Sequence, residues 1–88
     1  MPEPLFRRTL ADNRLIDVVP LTYGRARLHI GAADASWYDD AWDYDDPATA
    51  TLVAATWDGD GDPPGFTRHP ASGRRRPAGD PAREYIHR

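Results

Sequence analysis

The core this chain can build is limited by its alanines. Of the 35 hydrophobic residues among 88, 13 are Ala, which leaves 22 large apolar or aromatic side chains. All but three of those (Phe66, Tyr85 and Ile86) precede residue 58. A chain this short buries a small fraction of its surface, so it holds one thin core and not two. The three tryptophans are the bulk most needed inside it. No run approaches the ~20 apolar residues of a membrane span, and Met1 to Leu10 lacks the apolar stretch of a secretory leader. With no cysteine, disulfides, thiolate zinc sites and a cysteine nucleophile are excluded.

The net charge of −3 hides a segregation along the chain. Residues 1–33 carry five Arg against three acids, residues 34–62 carry nine Asp and no base, and residues 63–88 carry six Arg against two acids. Arg supplies all eleven cations. A GC-rich coding sequence explains that without physical cost, yet Arg is also the cation suited to bidentate and stacked contacts. An acidic middle flanked by basic blocks either pairs internally or presents a bipolar surface to partners.

The patterning predicts a small α+β domain, with a three-stranded antiparallel sheet and one helix packed on it. Leu15 to Val19, β-branched and closed by Pro20, reads as a first strand. Tyr23-Gly24 turns the chain. Arg25 to Ile30 then alternates, with Ala26, Leu28 and Ile30 on one face and Arg25, Arg27 and His29 on a solvated one. Trp37 to Tyr44 forms the third strand, with Trp42 and Tyr44 facing away from Asp43. Asp46-Pro47 starts the helix, as an N-cap acceptor followed by a proline at the first helical position. Its core stripe is expected at Ala48, Leu52 and Ala55 with Val53 and Trp57 adjacent, ending near Asp58-Gly59. Residues 1–62 thus make the α+β core, and 63–88 an Arg/Pro/Gly-rich extension. In that extension Phe66–His69 and Arg74–Arg76 could close a hairpin, and Asp80-Pro81 could start a helical turn through Ile86. The extension either packs back through Phe66, Tyr85 and Ile86 or remains a solvated arm.

Trp57, Pro64-Gly65-Phe66, Arg68-His69-Pro70, Ser72-Gly73-Arg74-Arg75-Arg76, Gly79-Asp80-Pro81 and Glu84-Tyr85, with Tyr38-Asp39-Asp40-Ala41-Trp42 upstream, resemble small proteins encoded by actinobacterial phages and prophages. The resemblance covers about half the chain. It implies a phage or actinobacterial origin and a place in the host cytoplasm or the virion. That family brings no assigned activity with it.

Three features carry candidate chemistry. Trp37, Tyr38, Asp39, Asp40, Asp43 and Asp45 interleave aromatics with acids, as a protein-binding surface does when rings anchor and carboxylates steer a basic partner. The same acids could imitate nucleic-acid phosphates, or simply be the solvated face of a strand whose aromatics are core. Arg68, Arg74, Arg75 and Arg76 form the one basic cluster, either contacting nucleic-acid phosphates or serving as an internal counter-surface to the acidic middle. Asp58, Asp60 and Asp62 match the first three positions of a calcium loop, but Pro63 and His69 stand where glycine and the bidentate acid belong, so an acidic turn is the stronger reading. No nucleophile elbow, two-His metal spacing or phosphate loop is present. Paired carboxylates abound, but a chain this short offers little depth to bury one. The sequence therefore predicts a non-enzymatic protein-binding module without cofactor, its partner a host or virion protein. Nucleic acid is the alternative partner, and a membrane is not expected.

Overall fold

The computed structural model describes residues 4–35, 37–68 and 86–87. Four strands form one antiparallel sheet in the order β1 (Phe6–Thr9), β2 (Arg14–Pro20), β3 (Ala26–Ala32) and β5 (Asp40–Tyr44). A helix, α1 (Pro47–Thr56), lies on one face. Two short strands, β4 (Trp37–Tyr38) and β6 (Ile86–His87), pair with each other through Tyr38 opposite Ile86. The α+β class and the single helix agree with the sequence reading, but the sheet has four strands and not three. The extra one, Phe6-Arg7-Arg8-Thr9, is too short and too charged to show an apolar alternation and is defined by its partners. Phe6 packs toward the core, and Arg7 stands directly across from Asp17 of β2.

Strict alternation builds the core. Ile16 and Val18, Ala26, Leu28 and Ile30, and Trp42 and Tyr44 face the helix and are buried. Trp42 meets Trp57 edge to face at 5.3 Å. The Tyr44 hydroxyl donates to the Pro64 carbonyl (2.7 Å), and burial pushes its pKa up to about 12. Asp46 caps α1 as its spacing requires, accepting from the amides of Ala48 and Thr49 and from the Thr49 hydroxyl. The buried helix stripe, however, is Ala50, Val53, Ala54 and Trp57, while Leu52 is 66% exposed and Ala48 and Ala55 face outward. Both stripes are apolar. Each carries two alanines, and the buried one also sets Val53 and Trp57 against the sheet, with Trp57 meeting Trp42.

Arg8 reaches the far end of the helix, donating to the carbonyls of Ala54 and Trp57 and satisfying two groups that the helix leaves open. Arg14 likewise donates to Gly59 O at 2.8 Å. Gly59 has φ of +89°, and a Cβ there would lie 2.6 Å from Leu10 Cδ1, so only glycine fits beneath this turn. Beyond it Pro63 is fully buried and Phe66 packs against the core. Thr67 and Arg68 exchange backbone hydrogen bonds with Asp43, covering part of the β5 edge. Ile86 is in a strand, not the helical turn expected of it, because its backbone pairs with Tyr38. The proposed hairpin beyond Arg68, including Arg74, Arg75 and Arg76, and the Asp80-Pro81 turn lie outside the described residues.

Candidate functional site

The face of the sheet turned away from α1 was expected to be solvated, and instead it holds two buried carboxylates. Asp17 and Asp43 are each 1% exposed, contrary to the expectation that so short a chain could hardly bury one. Burying a carboxylate is costly unless it is paired and hydrogen-bonded, and both are. Asp17 receives two donors from Arg7, Nε to Oδ1 at 2.7 Å and Nη2 to Oδ2 at 3.0 Å, and the Tyr38 hydroxyl also donates to Oδ2. The Tyr38 ring stacks on buried His29 with centroids 4.4 Å apart. Bonding to Asp17 holds Arg7 above the ordinary arginine pKa.

Asp43 is surrounded by three guanidinium groups that come from separate parts of the chain. Arg27 Nε donates to Oδ1 at 2.8 Å, while Arg68 Nη2 and Arg25 Nη2 lie 3.3 and 3.7 Å from Oδ2. Arg25 also lies 3.5 Å from Asp45. This arrangement divides the predicted binding set. Tyr38 and Asp43 are buried in these networks and cannot meet a partner directly. Trp37 stands in β4 opposite His87. Asp45, 74% exposed, sits beside Arg25 at the end of the sheet that carries the β2–β3 turn. Asp39 and Asp40 lie at the opposite end, where Asp40 is registered against Ile30.

That opposite end gathers acids the sequence keeps apart. Asp12 is in the β1–β2 turn, Asp34 follows β3, Asp39 precedes β5 and Asp40 opens it, and Asp58 and Asp60 follow the helix. Hydrogen bonds join these segments: Ala33 N to Asn13 O, Asp39 N to Ile30 O, and Arg14 to Asp12 and Gly59. Arg8 and Arg14 are the cations woven into it, and both have their bonds directed at the fold. A cleft of about 430 Å³ opens here, lined by Asp12, Asp58 and Asp60, by Arg8 and Arg14, and by Leu10 and Ala11. The signal for this surface, acids in every loop at one end of a meander, was readable only with the sheet order in hand.

The calcium-like run does not assemble a metal site. Asp58 accepts from the Asp60 amide, Asp60 faces Arg14 at 3.5 Å, and among the described residues no three His, Asp or Glu side chains converge for a cation. Of the basic cluster, Arg68 is placed against Asp43, and Arg74, Arg75 and Arg76 lie outside the described residues. Among the described residues no helix is long and apolar enough to cross a membrane. No family model, curated protein or solved structure matches the chain.

Proposed function

We propose that this chain is a non-enzymatic accessory protein that binds another protein through its acidic end, and that it is phage- or prophage-encoded and acts on a host protein or within the virion. The origin rests on the resemblance of its motifs to small actinobacterial phage proteins. The binding reading rests on one observation: Asp12, Asp34, Asp39, Asp40, Asp58 and Asp60 come together at one end of the sheet, where among the described residues Arg8 and Arg14 direct their bonds at the fold. Such a field speeds the encounter with a basic surface.

Capture from an actinobacterial lysate, comparing the wild type with a variant carrying Asp34→Asn, Asp39→Asn, Asp40→Asn and Asp58→Asn, tests this. A partner retained by the wild type, lost by the variant and released by moderate salt supports it. Equal capture by both, with the variant's circular dichroism unchanged, removes the acidic end from the function. The same convergence also suits an acidic nucleic-acid mimic. In that case the captured protein is one that binds DNA or RNA, and an oligonucleotide displaces this chain from it.

A further inference from the structure

The cluster around Asp43 has more cation than its fold requires. One guanidinium, that of Arg27, hydrogen-bonds the carboxylate, which would serve to bury it. Arg25 and Arg68 approach the other oxygen without hydrogen-bonding it, although Arg68 Nη2 lies at 3.3 Å. At that distance the bond fails on direction, so the Arg68 N–H groups are aimed elsewhere. Arg25 Nε is buried and makes no hydrogen bond. Among the described residues, three guanidinium groups thus outnumber the two carboxylates, Asp43 and Asp45, within ion-pair reach. The cluster lies on the face opposite the helix, and the Arg68 side chain is 64% exposed.

We propose that Arg25, Arg27 and Arg68 form a binding site for a phosphate-type oxyanion, with Asp43 acting as the post that holds the three side chains together. Arg25 Nη2 and Arg68 Nη2 lie 3.7 and 3.3 Å from Oδ2, which brings the two guanidinium groups near enough for two oxygens of one tetrahedral anion to bridge them. Arg27 stays on Asp43 and supplies charge, not a contact. Backbone pairing of Thr67 and Arg68 to Asp43 fixes one wall of the site, so its geometry does not depend on a flexible arm. The anion is either a free phosphate group or the phosphodiester of a nucleic acid. This inference is independent of the acidic end, which lies at the other end of the strands.

Arginine Nε–Hε signals of the full-length ¹⁵N-labelled protein, followed during titration with sodium phosphate at ionic strength held constant with chloride, test the site. Saturable shifts at Arg25 and Arg68, weakened roughly tenfold by either Arg68→Gln or Arg25→Gln, are expected. A second arm replaces phosphate with a thymidine oligonucleotide. Tighter binding per phosphate than the inorganic ion assigns the site to a nucleic-acid backbone, and equal or weaker binding assigns it to a free phosphate group. Shifts that do not saturate, or that chloride alone reproduces, mean an adventitious ion only and overturn the proposal. The wild-type titration decides even if a variant fails to fold.

Discussion

Tyr23 shows how single residues in this chain depart from what the backbone would choose. It occupies the left-handed region (φ +60°, ψ +34°) and is followed by Gly24 at φ +71°, the pair of positive angles that a type I′ hairpin turn requires. Asparagine accepts the first of these positions readily, and a tyrosine does not. Its ring is 98% exposed, so it recovers nothing by burial. Tyr23→Asn should therefore raise stability by about 1 kcal/mol, measured by urea unfolding. Tyr38 is the opposite case, a residue whose polar tip is tied to a buried charge. Tyr38→Phe keeps the stack on His29 and removes the donor to Asp17, which retains both Arg7 bonds. A loss of about 1.5–3 kcal/mol is expected in the same measurement, and no change would show that Arg7 alone satisfies Asp17.

At the scale of the element, α1 has two apolar stripes and packs only one. Val53→Ala should cost about 1–2 kcal/mol, whereas Leu52→Ala should change stability by less than about 0.5 kcal/mol. Reversal of that order would mean that the helix uses the outer stripe. The start of the helix also carries a pH dependence. Hydrogen bonds from Thr49 and Ala48 hold the Asp46 pKa below its ordinary value of 3.8. A carboxylate depressed in the folded state stabilises fully above its unfolded value and loses that contribution as pH falls through the folded one. Asp46→Ala should lower the melting temperature at neutral pH, and the gap to wild type should close on acidification below the usual carboxylate range. A gap that persists there would assign the loss to packing.

For the molecule as a whole, the first residues of the extension pack on the core. Pro63 is fully buried, Pro64 accepts from Tyr44, Phe66 packs on the core, and Thr67 and Arg68 pair with Asp43. A chain ending at Asp62 should melt well below one ending at Arg68, because burial of Phe66 alone contributes roughly 1.5–3 kcal/mol before entropy is subtracted. Equal melting temperatures would show that residues 63–68 rest on the core without stabilising it. The charge blocks are also redistributed. The acidic middle does not meet the arginines as one body: Asp43 and Asp45 lie beside Arg25, Arg27 and Arg68 at one end of the sheet, and Asp60 lies beside Arg14 at the other.

What the sequence determined by itself was whatever depends on neighbours within a few residues. The inward faces of β2, β3 and β5 follow from a period of two, and the start of α1 follows from Asp46 reaching amides two and three residues on. The tertiary structure decided the rest. Which stripe of α1 is buried depended on where the sheet receives Val53 and sets Trp42 against Trp57, which the helix pattern does not encode. The strand at Phe6–Thr9 and the fate of the polar face depended on contacts made across the sheet. Asp17 is satisfied by residues 10 and 21 positions away, and Asp43 is hydrogen-bonded by Arg27, 16 positions away, with Arg68 in ion-pair reach. A carboxylate on an alternating strand reads as solvated because water is its default partner. It becomes buried only when an arginine or tyrosine arrives from elsewhere in the chain to replace that water, and no local pattern records the arrival.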